Sequence, residues 1–247
     1  MLISLIFPLL VLAADEPRPP APSPQCLDAR TVSSVRQLGP QELLVAAANG
    51  RFQLSLAPGC EELSNGAQLL AEHGWVCGNA REYVRAGAHM CAVTSLRNLS
   101  VREFAQLAHD ADTQQLEGAT KLPAVQVVGK PDAPRRFTGS YDYCVRPSQI
   151  RAWSVDDDGV VVRTNPDQAG GNSAYRIEFE SSCPQADYLS VLSLKSGVGL
   201  DLVCGNPGDV AMLSKDESEP VQDERTQRAS SMADRRGCPI SAVYPIE

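Results

Sequence analysis

The stretch Phe52-Gln53-Leu54-Ser55-Leu56 ends four residues before Cys60, and Tyr175-Arg176-Ile177-Glu178-Phe179 ends four residues before Cys183. In both stretches apolar side chains alternate with polar ones, which is typical of a β-strand with one buried face. Cysteines recur around the two stretches in the same order. This predicts two homologous modules. The cysteines are Cys26, Cys60, Cys77 and Cys91 in the first module, and Cys144, Cys183, Cys204 and Cys238 in the second.

A short motif is repeated inside each module. Cys77-Gly78-Asn79 in the first is matched by Cys204-Gly205-Asn206 in the second. Glycine and asparagine tolerate a positive φ, so the motif predicts a sharp turn after a cross-linked strand. Turn geometry explains the motif fully, and a binding role for the two asparagines is the less favoured alternative.

Turn signals divide each module into short segments. In the first, Asn49-Gly50 predicts a hairpin turn between a strand at residues 43–47 and the strand that contains Phe52. Further strands are predicted at 32–38, 75–77, 81–85 and 91–96, with a short helix at 67–73. The fold class is therefore mainly β, with two small antiparallel sheets or open barrels.

The two modules are separated by a helical segment. Ser100 and Glu103 form a capping-box pattern that predicts a helix of about three turns. The predicted organisation is module 1 at residues 26–99, helix and linker at 100–143, and module 2 at 144–247. A polar insertion at 214–237 interrupts module 2.

The even number of cysteines predicts disulfides that supplement two small cores. Four cysteines allow three pairings per module, and the sequence does not choose among them. A nested arrangement is favoured because it ties the opening strand to the closing one. It pairs Cys26 with Cys91 and Cys60 with Cys77, and Cys144 with Cys238 and Cys183 with Cys204.

The N-terminus predicts export. Residues 1–14 form an uncharged apolar run that is too short to span a bilayer and ends in two alanines, as in a signal peptide. Residues 15–25 are rich in proline and predict an extended tether. No transmembrane segment is expected after signal removal. With eight cysteines, this favours a periplasmic or secreted protein.

The sequence contains no recognisable motif of catalysis or cofactor binding. The three histidines, His73, His89 and His109, have no counterparts in the second module, and no Cys-x-x-Cys is present. No pair of carboxylates stands out at equivalent places in the two modules. No metal or cofactor is therefore expected. The net charge of −8 disfavours nucleic acid as a partner.

Two local features receive structural interpretations. The cluster Asp156-Asp157-Asp158 is interpreted as a solvated turn rather than a calcium loop. Large aromatic residues in or beside predicted strands are expected to pack in the core. They are Phe52, Trp75, Trp153 and Tyr175.

The order of cysteines, strands and Cys-Gly-Asn motifs resembles an uncharacterised family of exported, cysteine-containing proteobacterial proteins. Members typically carry one such module, so this chain resembles a tandem form that covers residues 26–99 and 144–247. The resemblance implies a periplasmic or secreted bacterial protein. It supplies no catalytic residues.

Three functions are compatible with the sequence. The leading hypothesis is a non-enzymatic, exported interaction or envelope-associated protein. The first alternative is a binder of a small ligand or peptide in the cleft between the modules. The second is an enzyme of unfamiliar type.

Overall fold

A computed structural model describes most of the chain. Several predicted segments lie outside the described residues: the signal peptide, the start of the tether, most of the linker, residues 157 and 158, and most of the polar insertion. The described residues are 19–60, 63, 67–79, 81–118, 140–156, 159–183, 191–199, 201–214 and 237–246.

Module 1 contains a six-stranded antiparallel sheet and a separate pair of short strands. Its strands are β1 (Leu27–Asp28), β2 (Val32–Gly39), β3 (Glu42–Ala47), β4 (Gly50–Leu56), β5 (Gln68–Leu70), β6 (Trp75–Val76), β7 (Tyr83–Ala86) and β8 (His89–Leu99). The large sheet has the order β2-β3-β4-β8-β7-β5, and β1 pairs with β6.

One helix, α1 (Val101–Gly118), follows β8 directly. Its capping box is confirmed, because the Ser100 amide donates to Glu103 Oε2 at 2.9 Å and the Glu103 amide donates to Ser100 Oγ at 3.2 Å. The helix has 18 residues, about five turns rather than the predicted three.

Module 2 repeats the architecture of module 1. Its strands are β9 (Ile150–Asp156), β10 (Gly159–Thr164), β11 (Ala174–Phe179), β12 (Val191–Lys195), β13 (Val210–Ser214) and β14 (Cys238–Ile246). They form a sheet of order β9-β10-β11-β14-β13-β12, which matches the first sheet strand for strand. A bridge between Val145 and Val203 stands where β1 and β6 pair in module 1.

Both sheets curl, one into a half-barrel and the other close to a barrel. The predicted fold class is confirmed: the chain is mainly β, with two antiparallel modules that each contain disulfides. The duplication itself stays a prediction, and the two sheets have the matching topology that it requires.

Each sheet encloses its own core, and β3 serves two cores at once. Leu43 and Val45 point into the core of module 1, whereas Leu44 and Ala46 point into a cluster that includes residues of α1 and module 2. Side chains alternate between the faces of a strand, so a strand buried on both faces must be apolar throughout. This explains the uninterrupted apolar run at residues 43–47.

The helix predicted at residues 67–73 is absent. Residues 68–70 form β5, in which Leu69 pairs with Val84 and packs against the core. A 3₁₀ turn follows at Glu72–Gly74, and His73 takes a left-handed backbone with φ of 55°. Pairing with β7 overrides the weak helical preference, and a left-handed residue cannot continue an α-helix.

The predicted nested pairing of the cysteines is wrong. Disulfides join Cys26 to Cys77 and Cys60 to Cys91 in module 1. In module 2 they join Cys144 to Cys204 and Cys183 to Cys238. Both modules therefore pair their first cysteine with the third and their second with the fourth, and all eight cysteines are used.

Strand register explains this pairing. Leu27 pairs with Val76 in the β1–β6 ladder, so the next antiparallel position brings Cys26 opposite Cys77, with their Cα atoms 4.4 Å apart. The Val145–Val203 bridge does the same for Cys144 and Cys204, whose Cα atoms lie 4.2 Å apart. These separations fall at or just below the short end of the usual disulfide range.

We expect non-reducing tryptic mapping to confirm the alternating pairing. Trypsin leaves Cys60 and Cys77 together in the peptide spanning residues 52–81, because no lysine or arginine lies between them. This peptide should be linked to two others, one carrying Cys26 and one carrying Cys91. Nested pairing would instead leave it alone with an internal bond. A reduced sample is the control.

Candidate functional site

Each Cys-Gly-Asn loop wraps around a buried carboxylate. In module 1 the Glu82 carboxylate accepts hydrogen bonds from the backbone amides of Cys77 at 2.7 Å, Gly78 at 2.7 Å and Asn79 at 3.0 Å. The residue is only 5% exposed. Amides that converge on one anion in this way form a nest, which compensates the carboxylate for the water that it loses.

Asp209 plays the same part in module 2. Its carboxylate accepts from the amides of Cys204 at 2.9 Å, Gly205 at 3.0 Å and Asn206 at 3.0 Å, and also from Gly197 at 2.8 Å. It is 1% exposed. The fourth bond connects the loop to the turn after β12, so Asp209 also fixes a second turn twelve residues earlier in the chain.

Sequence reasoning missed this pair of carboxylates, and the expectation that no such pair occupies equivalent places is wrong. Each acid lies five residues after the cysteine of its motif, in the pattern Cys-Gly-Asn-x-x-Glu/Asp. That spacing was the available signal. The spacing is not one that reactive acids require, because these carboxylates bind backbone amides.

The glycine turns are confirmed, and they have a second cause. Gly78 and Gly205 have φ values of 86° and 87°. A Cβ atom on Gly78 would lie 2.8 Å from the Leu96 amide nitrogen, and one on Gly205 would lie 2.9 Å from the Ser241 carbonyl oxygen. Glycine is therefore required both for the backbone conformation and for the close approach to β8 or β14.

Neutralising the carboxylates should destabilise the fold. We expect Asp209→Asn to lower the free energy of unfolding by about 2–3 kcal/mol, because the amide group leaves buried N–H donors unsatisfied. Glu82→Gln should cost less, since it accepts from three backbone amides rather than four. Thermal unfolding followed by circular dichroism measures both changes.

The matched control is Glu42→Gln, which removes the same charge from an exposed position at the start of β3. It should change the free energy of unfolding by less than about 0.5 kcal/mol. An Asp209→Asn variant as stable as this control would contradict the nest as a source of stability.

The loop of module 2 lies under α1. Leu202 and Cys204 are each 5% exposed and share a core cluster with Phe104, Ala105 and Ala108 of the helix. His109 Nε2 donates to Asn206 Oδ1 at 2.9 Å. Asn206 therefore contacts a neighbouring element of its own chain.

Polar groups also tie module 1 to this region. We call the region where α1 packs between the two modules the seam. Arg36 on β2 contacts Asp142 at 2.9 Å and the Ser140 hydroxyl at 2.7 Å, both just before module 2. Tyr143 donates its hydroxyl proton to Asp112 on α1 at 2.5 Å. Burial, together with this hydrogen bond, raises the pKa of Tyr143, so the phenol remains a donor throughout the physiological range.

A second polar cluster joins the start of α1 to module 2. Arg102 binds both carboxylate oxygens of Glu178 on β11, with the closest contact at 2.8 Å, and Tyr244 donates to Glu178 at 2.7 Å. Burial by itself would raise the pKa of Glu178, but these hydrogen bonds and the charges of Arg102 and Arg176 lower it overall. Burial and the bond to Glu178 raise the pKa of Tyr244 to about 12.

This cluster makes stability depend on pH. The pKa of Glu178 is lower in the folded chain than in the unfolded one, so its contribution is complete at neutral pH and is lost as the pH falls below about 4. We expect Glu178→Gln to cost about 1 kcal/mol at pH 7, because Arg102 is half exposed. The difference from the wild type should shrink between pH 4 and pH 3.

Urea unfolding at pH 7, 5, 4 and 3 measures this dependence. The exposed neighbour Glu180 supplies the control variant Glu180→Gln, which should follow the wild type at each pH. A cost for Glu178→Gln that stays constant down to pH 3 would contradict the ion pair as its origin.

The cavity between α1 and module 2 is small. A cavity of about 240 Å³ lies where α1 meets module 2, and its lining includes Gln106, His109, Tyr143 and Ser241. Pockets that enclose drug-sized ligands usually measure about 300–1,000 Å³.

The face of module 2 that α1 covers has a counterpart in module 1, which no helix covers among the described residues. Val76, which pairs with Leu27, and Val203, which pairs with Val145, occupy equivalent positions. The residues that precede them, Trp75 and the buried Leu202, are therefore counterparts. Trp75 is partly exposed, while its neighbour Val76 is fully buried and points to the opposite face. The expectation of core packing is thus wrong for Trp75, although it is confirmed for Phe52 and Tyr175. Trp153 packs against its core while only partly buried.

A cavity of about 510 Å³ lies beside Trp75. The Trp75 indole N–H donates to the Pro19 carbonyl oxygen at 3.2 Å, so the described end of the predicted tether contacts module 1. We call this surface the Trp75 face. Its lining comprises Pro19, Pro20 and Pro22 together with Glu72, His73, Trp75, Cys77, Asn79, Arg81 and Glu82.

The other candidate residues are dispersed. His73 lies at the Trp75 face, His89 is exposed at the start of β8, and His109 lies in the seam. Asp156 pairs with Arg176 at the end of β9. Within the described part of the chain, no group of three or more His, Cys, Asp or Glu side chains is arranged to hold a metal ion.

Comparison with known proteins found no matching family model, no matching curated protein and no matching solved structure. The resemblance to an exported proteobacterial family therefore stays a prediction. Among the described residues, no helix is both long enough and apolar enough to cross a membrane.

Proposed function

We propose that this protein is an exported binding protein that engages its ligand at the Trp75 face of module 1. One observation carries the proposal. The equivalent face of module 2 is a docking surface within this chain, since α1 covers Leu202 and contacts Asn206. The same face of module 1 offers a partly exposed tryptophan beside a cavity of about 510 Å³.

The composition of the Trp75 face favours binding. Tryptophan supplies a large apolar surface and an N–H donor, and it is enriched at the energetic centres of interfaces. Around it lie the proline rings, the exposed amide of Asn79 and the charged groups of Glu72 and Arg81. An apolar centre with a few polar groups at its edge resembles the anatomy of ligand sites in general.

The rest of the molecule supports a preorganised site. The loop behind the Trp75 face is fixed by the Cys26–Cys77 disulfide and by three backbone bonds to Glu82. A ligand would therefore not have to order this loop when it binds, which avoids part of the usual entropic cost.

The proposed compartment is periplasmic or extracellular. Four disulfides fit an oxidising environment, and they use every cysteine of the chain. The signal peptide predicted at residues 1–14 would supply the export route. Binding in the cleft between the modules stays the alternative. It has less support because the cavity beside the helix that joins the modules has no lining residue from module 1 and less than half the volume of the cavity at the Trp75 face.

A ligand screen tests the proposal. Thermal melting of the full chain is measured against panels of peptides, saccharides and small metabolites, since a ligand that binds the folded state raises the midpoint. We expect compounds that stabilise the wild type to lose their effect on Trp75→Ala. They should keep it on Trp153→Phe, which changes the other tryptophan and leaves the Trp75 face intact.

Three outcomes would contradict the proposal. Stabilising compounds that act equally on Trp75→Ala would place the site elsewhere, and loss of their effect in Ser241→Trp would place it in the cavity between α1 and module 2. Turnover of a compound in hydrolase assays, abolished by a single substitution, would make the protein an enzyme.

A further inference from the structure

The segment seated at the Trp75 face has a restricted backbone. Pro19, Pro20 and Pro22 have φ values fixed by their rings, and a residue that precedes proline is confined to extended conformations. Pro19 and Ala21 both precede a proline. The sequence Pro19-Pro20-Ala21-Pro22 is therefore biased towards the polyproline II conformation before it contacts anything.

The observed contact follows a general mode of recognition. A polyproline II segment has no internal hydrogen bonds, so its carbonyl groups are free to accept from a partner. Aromatic side chains that line a groove exploit this by packing on proline rings while donating to a carbonyl. Trp75 makes the second of these contacts by donating its indole N–H to the Pro19 carbonyl oxygen, and its ring lines the same cavity as the three prolines.

We propose that the Trp75 face is a recognition site for proline-rich segments, which the protein's own residues 19–22 occupy in cis and a proline-rich segment of another protein displaces. The inference rests on the proposed function for the location of the site and adds the class of ligand. The cavity of about 510 Å³ between the prolines and the loop shows that the cis segment fills the face incompletely. A bulkier segment has room to form contacts that the cis segment lacks.

A second copy of this chain is a poorer occupant. Only residues 23–25 separate Pro22 from Cys26, which is bonded to Cys77 at the edge of the same face. Three extended residues reach about 10 Å, so the prolines cannot extend far into another molecule. The same short connection gives the cis segment a high effective concentration at its own site.

Competition between cis and trans segments supplies the test. The probe is a fluorescent peptide with the sequence of residues 15–24, and its binding is measured by anisotropy. The full-length protein carries Pro19→Ala, Pro20→Ala and Pro22→Ala to weaken the cis segment. We expect this triple variant to bind the peptide at least about tenfold more tightly than the wild type, because a cis competitor near millimolar effective concentration has been weakened.

Two further variants identify the recognising group. Adding Trp75→Phe to the triple variant should weaken peptide binding at least about tenfold, since phenylalanine keeps the ring but loses the N–H donor. Adding Trp153→Phe should leave binding unchanged. A peptide with every proline replaced by alanine should not bind, and equal thermal midpoints of the variants would confirm that they are folded.

Several results would overturn the inference. They are failure of the triple variant to bind the peptide, equal binding after Trp75→Phe, and equal binding of the alanine peptide. Sedimentation that shows a wild-type dimer which the triple variant cannot form would assign the face to a second copy instead. If the ligand screen succeeds at the Trp75 face while the peptide fails, only the proline preference is refuted; failure of both refutes the proposed function as well.

Discussion

The hydrogen bonds between a buried carboxylate and the backbone of a Cys-Gly-Asn loop organise each module. Glu82 and Asp209 hold the loop in a shape that only glycine permits, and this shape brings the backbone against the last long strand of the sheet. The first disulfide of each module is anchored in the same loop. Without the carboxylate, the buried amides of the loop would have no hydrogen-bond partners.

The two modules use the outer surface of this loop differently. In module 2 it is covered by α1, which shares one core cluster with the loop and with Leu44 and Ala46 of module 1. The helix thus contributes to a core that both modules share. The polar clusters around Arg36 and Arg102 help to fix the orientation of the helix. In module 1 the equivalent surface meets a proline-rich segment that is continuous with the N-terminus. The difference lies in what covers the face, since the framework beneath is the same.

Local sequence patterns predicted the parts of the fold that depend on local physics. Alternation at Phe52, Leu54 and Leu56 gave a strand, and Ser100 with Glu103 gave the start of the helix. Prediction failed where contacts between residues distant in sequence determine the structure. Residues 67–73 form a strand and a turn because β7 lies alongside, and Cys26 meets Cys77 because β1 pairs with β6. Trp75 was assigned to the core because it is a large aromatic residue in a predicted strand, but the observed strand has only two residues, too few for an alternating pattern to show which face is buried.

The alternating disulfides determine how the protein withstands proteases. In module 2, one bond spans Cys144 to Cys204 and the other spans Cys183 to Cys238, so every peptide bond between Cys144 and Cys238 lies inside at least one closed loop. A single cut in the long polar stretch after Ser214 therefore leaves Cys238 covalently attached to the remainder of the chain. Cys238 begins β14, which lies between β11 and β13 in the sheet. A nicked molecule therefore keeps that strand tethered at its place.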